Sequence, residues 1–132
     1  LFLAGVGAQS VTLATASDAA GVVTVNALAG TASTIDIGGT ANNVAVSTDA
    51  GADTVTAGSG SNNISTGAGD DSIRFLSANF TTDDTVDGGA GTNEIRITDN
   101  ATVIDADFTN VTGVQRPNGT TDADWLKLRT SE

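Results

Sequence analysis

Large aliphatic residues recur along the chain at intervals of nine, separated by small and polar residues. The series consists of Leu28, Ile37, Val46, Val55, Ile64 and Ile73 and, after an interruption of four residues around 76–79, of Val86, Ile95 and Ile104. A fixed period is typical of a repeat architecture, in which each unit stacks on its neighbours and buries a continuous core. The pattern therefore predicts nine stacked rungs over about residues 20 to 105.

Two further columns accompany the aliphatic one in the centre of the chain. In four rungs an Asp or Asn lies two positions before the aliphatic residue and a Gly lies four positions before it. These rungs read AGADTV, GSGSNNI, GAGDDSI and GGAGTNEI. The flanking rungs, such as TASTIDI and NNVAVS, carry β-forming residues without this combination. The chain therefore has one repeating frame with two kinds of rung.

The central rungs resemble the RTX nonapeptide repeat, whose pattern is G-G-x-G-x-D-x-U-x with U a large apolar residue. The matching units are 48–56, 57–65, 66–74 and 88–96, with a degenerate unit at 79–87 that has lost its glycines. Asp49 and Thr66 stand where Gly is usual, and Asn62 and Asn93 stand where Asp is usual. The resemblance implies an all-β fold, a right-handed parallel β-solenoid (β-roll) with two nonapeptide rungs per coil. It also implies metal-free coils flanking coils that bind calcium.

Composition limits the chemistry that the chain can perform. It contains no Cys and no His, which removes thiolate and imidazole ligands, thiol nucleophiles and the commonest general base. Sixteen acidic residues against five basic ones give a net charge of −11, which argues against nucleic-acid binding because that requires a basic surface. Oxygen ligands remain, and they favour hard cations such as Ca²⁺. We expect no enzyme active site in this chain.

The resemblance assigns candidate calcium ligands residue by residue. They are Asp49, Gly51, Asp53, Asn62, Gly67, Gly69, Asp71, Asp84, Gly89, Gly91 and Asn93. In such rungs the glycines shape the turn and allow main-chain carbonyls to face the ion, and the Asp completes the oxygen cage. The alternative is that these residues only make turns, as they do in metal-free β-solenoids.

With two rungs per coil, each rung would stack on the rung two units further along the chain. This stacking predicts that Asp53, Asp71 and Asn93 share one edge of the solenoid and that Asn62 and Asp84 share the other. We expect two calcium ions, within a range of one to four. The first would lie between the turns of Asp53 and Asp71, and the second between those of Asp71 and Asn93.

The repeat pattern divides the chain into three parts. Residues 1–27 are expected to form metal-free coils, and residues 28–105 a β-roll with calcium-binding rungs over 48–96. Residues 106–132 are expected to cap the stack or to mediate assembly, and ADFTNVTGVQ within them resembles segments that flank such repeats in bacterial surface-layer proteins. Three apolar residues of this part could cover the open end or meet a neighbouring copy: Trp125, Leu126 and Leu128.

The sequence favours a structural function. We expect a secreted bacterial module, extracellular or on the cell surface, that belongs to a surface layer, filament or adhesin and folds when it meets external calcium. Its partners would be calcium ions and further copies of itself, end to end or side by side. The sequence contains no run of 18 apolar residues, so it predicts no membrane-spanning helix. The alternative is the repeat module of a secreted hydrolase, a protease or lipase, with its catalytic domain outside this chain.

Overall fold

The fold is a parallel β-solenoid in which successive strands alternate between two sheets. The computed structural model describes residues 1–3, 7–28, 30–99 and 103–118. One sheet contains β1 (Phe2–Leu3), β3 (Thr24–Ala27), β5 (Ala45–Thr48), β7 (Asn63–Ser65), β9 (Thr85–Asp87) and β11 (Val111–Thr112). The other contains β2 (Gln9–Thr12), β4 (Ser33–Asp36), β6 (Thr54–Thr56), β8 (Ser72–Phe75), β10 (Glu94–Ile97) and β12 (Arg116–Asn118). The predicted all-β, two-rungs-per-coil architecture is therefore confirmed.

The central strands stack in the register that the nine-residue period predicts. In one sheet Val46 pairs with Ile64, and Ile64 with Val86. In the other sheet Val55 pairs with Ile73, and Ile73 with Ile95. All of these side chains are buried in a single narrow core between the sheets. Because each of these central strands is only three or four residues long, its central aliphatic residue supplies much of the apolar surface that holds the coils together.

The predicted ladder is wrong at three of its outer positions. Val25, not Leu28, pairs with Val46, and Leu28 is 48% exposed. Ile35, not Ile37, pairs with Val55; Ile37 is buried but follows the end of β4. Ile104, the last predicted rung, is 61% exposed. The outer coils contain more than 18 residues, and their turns absorb the extra ones, so a strict nine-residue count loses the strand register there.

A short helix and two 3₁₀ turns, Ser77–Asn79 and Asp105–Phe108, modify the regular coil. The helix α1 (Thr15–Ala19) lies within residues 1–27, the part expected to form metal-free β coils. Asp18 in this helix accepts the N–H groups of Ala41 and Asn42, at 3.0 and 3.3 Å, which ties the first coil to the next. The 3₁₀ turn Ser77–Asn79 is the insertion that interrupts the nine-residue period. These additions are accommodated in the turns, where extra residues do not disturb strand pairing.

Three phenylalanines fill the space that the insertion opens. Phe75 at the end of β8 and Phe80 after the 3₁₀ turn are both fully buried, with ring centroids 4.7 Å apart. Phe80 also meets Phe108 edge to face, at a centroid separation of 4.9 Å. Aromatic rings supply large apolar area, so the insertion contributes a cluster of bulky side chains to an otherwise thin core. Within the described residues, no helix is long and apolar enough to cross a membrane.

The tail of the chain lies partly outside the described residues. Strands β11 and β12 continue the stack as far as residue 118. The proposed capping residues Trp125, Leu126 and Leu128 lie in 119–132, which is outside the described ranges. Their predicted capping or assembly role therefore stays a prediction.

The observed register predicts that Ile73→Ala and Leu28→Ala differ sharply in stability. Ile73 is fully buried, so its truncation removes apolar contacts and leaves a cavity, at a loss of about 2 to 5 kcal/mol in the free energy of unfolding. Leu28 is half exposed, and its truncation should change stability by about 0.5 kcal/mol or less. Urea denaturation of both variants checks this. Equal losses would contradict the register described above.

Candidate metal centre

A column of polar side chains runs along the solenoid axis at the point where turns lead into the even-numbered strands. Asp53 Oδ1 accepts the N–H of Ser33 at 2.6 Å, and Asp71 Oδ1 accepts the N–H of Asp53 at 2.8 Å. Asn93 Oδ1 in turn accepts the N–H of Asp71 at 3.0 Å, and Gln115 Oε1 accepts the N–H of Asn93 at 2.7 Å. We call these five residues the first column. The predicted common edge of Asp53, Asp71 and Asn93 is thus observed.

A shorter column lies on the opposite edge, where turns lead into the odd-numbered strands. Asn62 Oδ1 accepts the N–H of Val44 at 3.3 Å, and Asp84 Oδ1 accepts the N–H of Asn62 at 2.8 Å. We call Val44, Asn62 and Asp84 the second column. In both columns a side-chain oxygen from one coil satisfies a main-chain donor of the preceding coil, so the columns bond the coils together outside the strands.

Five of the column side chains are carboxylates or carboxamides withdrawn from solvent. Asp53, Asn62, Asp71, Asp84 and Asn93 are each at most 2% exposed. Burying a polar group is unfavourable unless its donors and acceptors find partners, and burying a charge is more so. Each side chain has used one oxygen for the axial hydrogen bond. The surroundings of its second polar atom therefore decide how well the rung is satisfied.

In the Asn93 rung the second polar atom is a donor surrounded by carbonyl oxygens. Asn93 Nδ2 donates to the carbonyl of Gly88 at 2.7 Å, within its own turn, and to that of Gly113 at 2.8 Å in the next coil. A third carbonyl, that of Gly89, lies at 3.5 Å. The amide thus occupies an oxygen-lined position between two successive turns.

The Asn62 rung repeats this arrangement on the opposite edge. Asn62 Nδ2 donates to the carbonyls of Gly60 at 2.6 Å and Gly58 at 3.2 Å, both in its own turn. It also lies 3.4 Å from Oδ1 of Asp84 in the next coil. Both asparagines that replace the expected Asp therefore use the amide nitrogen to satisfy turn oxygens.

The three aspartates of the columns differ in whether Oδ2, the second carboxylate oxygen, has a hydrogen-bond partner. Asp84 Oδ2 accepts the N–H and the hydroxyl of Thr81, at 3.0 and 3.4 Å. Asp53 Oδ2 and Asp71 Oδ2 are buried and have no hydrogen-bond partner. Two adjacent rungs of the first column therefore each contain a buried carboxylate oxygen without a hydrogen-bond partner.

The turns beside these rungs stack closely enough to exclude side chains. All five candidate glycines have positive φ: Gly51, Gly67, Gly69, Gly89 and Gly91. A Cβ on Gly69 would overlap the carbonyl oxygen of Gly51, and one on Gly89 would overlap that of Gly67. The alanines between the glycines form parallel bridges from coil to coil. The glycine columns thus allow the main chains of successive turns to stack in direct contact.

Asp49 and Thr66, two residues that stand where Gly is usual, lie in different environments. The Asp49 side chain is exposed, and only its carbonyl enters the turn stack, accepting the N–H of Ala68 at 2.8 Å. Thr66 is fully buried, and its hydroxyl donates to the carbonyl of Gly88 at 3.2 Å. The hydroxyl of Thr48 makes the same bond one coil earlier, to the carbonyl of Thr66 at 2.7 Å. The nonapeptide pattern did not identify this hydroxyl ladder, or Gln115, which lies beyond the regular repeats.

The donor set fits an oxygen-coordinated cation. Among the described residues, no three acidic side chains converge where they could hold a metal ion, so a cation would draw most of its ligands from main-chain carbonyls. Ca²⁺ accepts such mixed carbonyl and carboxylate ligation and tolerates irregular geometry. The unpartnered oxygens of Asp53 and Asp71 are the atoms that a cation would satisfy.

The pKa of Asp53 reflects its environment. Burial raises the pKa of this carboxyl above its ordinary value of 3.8, and the charge of Asp71 adds to the rise. The nearby Thr48 hydroxyl and the N–H of Ser33 oppose the rise without cancelling it. The ionised form is therefore less favourable at this position than in water.

Comparison with known proteins identified no matching family model, no matching curated protein and no matching solved structure.

The turn stack predicts that two glycine substitutions with the same backbone strain differ in their effect. Gly89 and Gly21 have nearly equal φ, +66° and +69°, but a Cβ meets nothing within 4 Å at Gly21. Gly21→Ala should lose about 1 kcal/mol of stability through left-handed backbone strain alone. Gly89→Ala should lose about 1 to 3 kcal/mol more, because the turns must separate. Denaturation in chelator measures both, and equal losses would show that the turns are not in close contact.

The raised pKa of Asp53 predicts a pH-dependent benefit from Asp53→Asn in the absence of metal. Because the folded pKa exceeds the unfolded one, the protonated carboxyl favours folding below pH 3.8, and this contribution is lost as pH rises through the folded pKa. The Asn variant does not titrate, so its stability relative to the native chain should increase with pH above 3.8. Denaturation in chelator between pH 3 and about pH 7 tests this. Asp83→Asn, a substitution at an exposed position, should show the same pH dependence of the free energy of unfolding as the native chain. The same pH dependence in Asp53→Asn would refute the prediction.

Proposed function

We propose that this chain is a calcium-binding structural module of a secreted bacterial surface protein, of the kind found in surface layers, filaments or adhesins. In this proposal Ca²⁺ stabilises the solenoid at the rungs of Asp53 and Asp71 and so couples folding to the ion concentration outside the cell. The observation that carries the proposal is the pair of buried carboxylate oxygens, Asp53 Oδ2 and Asp71 Oδ2, that have no partner.

The electrostatics of the first column support a cation rather than a neutral ligand. Asp53 and Asp71 lie in consecutive coils and are joined by the bond from the Asp53 N–H to Asp71 Oδ1. Each carboxylate is buried, in a chain whose net charge is −11. Like charges in a low-dielectric environment repel strongly, and a divalent cation relieves that repulsion. The resemblance of the turns to RTX rungs supports calcium in particular.

The chemistry of the available ligands supports a hard cation. The chain has no Cys and no His, and the groups near the open rungs are carboxylates and main-chain carbonyls. Ca²⁺ prefers six to eight such oxygens, whereas Mg²⁺ demands regular octahedral geometry and keeps much of its water. Selectivity for calcium over magnesium is therefore part of the proposal.

Calcium would act on the folding equilibrium. A ligand that binds only the folded state stabilises it by RT ln(1 + [L]/Kd), which is about 1.4 kcal/mol per site at ten times Kd. Extracellular calcium modules bind at about 10⁻⁴ to 10⁻³ M, so such sites fill outside the cell and not in the cytosol. A solenoid whose coils are held together in this way would suit a rigid repeat of a surface assembly. Association between copies is part of the proposal, because the strand at the end of an uncapped solenoid can pair with a strand of another copy.

The proposal predicts that calcium stabilises the chain and that magnesium does not. Calcium at ten times Kd should raise the free energy of unfolding by about 1.4 kcal/mol per site, measured by denaturation followed by circular dichroism, with light scattering recorded in parallel. A rise in scattering with calcium would support assembly. The double variant Asp53→Asn/Asp71→Asn should lose the calcium response. Asp83→Asn/Asp87→Asn removes the same charge at exposed positions and should retain it.

The outcome that contradicts the proposal is equally specific. If the native chain is as stable in chelator as in millimolar calcium, Asp53 and Asp71 are not cation ligands. A response that magnesium reproduces, or that both double variants lose equally, would indicate general screening of negative charge instead of a site.

A further inference from the structure

The residues of the two columns occupy equivalent positions, which allows their rungs to be compared atom by atom. Asp53, Asp71 and Asn93 each precede an even-numbered strand, and each uses Oδ1 to accept the N–H of its counterpart in the preceding coil. Asn62 makes the same bond in the second column. The second atom of Asn62 and of Asn93 reaches carbonyl oxygens of its own turn, and the second oxygens of Asp53 and Asp71 are buried in the equivalent rungs.

The second atom has opposite character in the two kinds of rung. In Asn62 and Asn93 it is a nitrogen that donates to two or more oxygens, at distances from 2.6 Å. In Asp53 and Asp71 it is an oxygen with no hydrogen-bond partner. Backbone turns of the same type surround the rungs of Asp53, Asp71 and Asn93, as the shared positive φ of Gly51, Gly69 and Gly91 indicates, whereas Gly58 and Gly60 in the turn of Asn62 do not have positive φ. Asn93 is therefore the direct counterpart of the two aspartates, and Asn62 shows the same use of the amide nitrogen in a different turn. A position lined by carbonyl oxygens favours a donor or a cation and disfavours another oxygen.

We infer that the amide nitrogens of Asn62 and Asn93 take the place of a bound cation, so that these rungs are closed without metal and only the rungs of Asp53 and Asp71 are open to it. The inference rests on the proposed function for the identity of the cation. It goes beyond that function by assigning which rungs bind. Asp84 belongs with the closed rungs, because Thr81 donates to its second oxygen.

This assignment has consequences for stoichiometry. Two open rungs account for at most two bound ions, and neither Asn62 nor Asp84 contributes one. A single change of Asp to Asn in the first column should close a rung and remove an ion. A single change of Asn to Asp should open a rung, remove its internal donor and add an ion. The number of sites is thus set by single nitrogen-for-oxygen exchanges at one position of the repeat.

The experiment compares Asp71→Asn and Asn93→Asp with the native chain by calorimetric titration of calcium and by denaturation in chelator. Asp71→Asn should bind one ion fewer and have a higher denaturation midpoint in chelator. Asn93→Asp should bind one ion more and have a lower midpoint in chelator, which calcium restores. The matched controls are Asp83→Asn and Asn43→Asp. Both positions are exposed, and the Asn43 oxygen that accepts the N–H of Ser61 is retained in the carboxylate. Both controls should leave the ion count unchanged.

The results separate this inference from the proposed function. If the native chain binds calcium but Asn93→Asp gains no ion, or Asp71→Asn loses none, the inference is wrong and the proposed function stands. If the native chain binds no calcium, the proposed function fails, and the chelator arm still decides the inference. In that arm Asp71→Asn must raise the midpoint and Asn93→Asp must lower it, relative to their controls. Should Asn93→Asp remain unfolded even with calcium, the exchange of amide for cation is refuted.

Discussion

The hydrogen bond from a main-chain N–H to a buried side-chain oxygen of the next coil is the interaction on which the central solenoid depends. Each coil must leave its turn and enter a strand, and at that junction the ladder of strand hydrogen bonds has not yet begun. The N–H groups of Ser33, Asp53, Asp71 and Asn93 lie at such junctions and are satisfied by the first column. A buried donor without a partner is strongly unfavourable, so the column allows turns and strands to stack without a break.

The same hydrogen bond also brings a second polar atom of the side chain into the interior, where it is unfavourable unless it has a partner. An Asp or Asn side chain whose Oδ1 reaches the preceding coil also buries its other terminal atom, Oδ2 or Nδ2. The stack offers little room to relax around that atom, because the glycine turns are in direct contact and buried apolar side chains fill the core between the sheets. Asn and Asp have the same shape, and they differ only in whether this second atom donates or carries negative charge. Fold and ion chemistry are therefore linked at a single atom per rung.

Much of the fold could be predicted from the sequence, because its period is set by local rules. The central rungs from Val46 to Ile95 keep the stacking that a nine-residue repeat with glycine turns requires. The prediction was wrong where two apolar choices lie close together: Ile35 and Ile37 are both buried, and only strand pairing decides which one stacks on Val55. The helix α1 has five residues, too few for a helical periodicity to appear in the sequence.

The sequence predicted which residues of the candidate site lie together, but it did not predict which of their polar atoms have hydrogen-bond partners. The repeat pattern places Asp53, Asp71 and Asn93 on one edge, and the structure has them there. Whether a second oxygen is satisfied depends on neighbours outside the pattern, such as Thr81 for Asp84. The N–H of Asn93 likewise finds its acceptor in Gln115, which lies beyond the regular repeats. Such partners come from turns of irregular length, so their positions follow from the three-dimensional path of the chain and not from the repeat.

The presence of aspartate in two rungs is informative because asparagine would suffice for folding. An amide at these positions makes the axial bond with its oxygen and satisfies the turn with its nitrogen, as Asn93 does. A carboxylate makes the axial bond equally well but leaves an unpartnered charge, which lowers the stability of the folded state unless a cation is supplied. A column composed only of asparagine would give a solenoid whose stability does not depend on the ion concentration. Under the proposed function, a column that combines satisfied amides with two adjacent open carboxylates would give a solenoid whose frame is held by the closed rungs and whose stability would depend on ion concentration through the open ones.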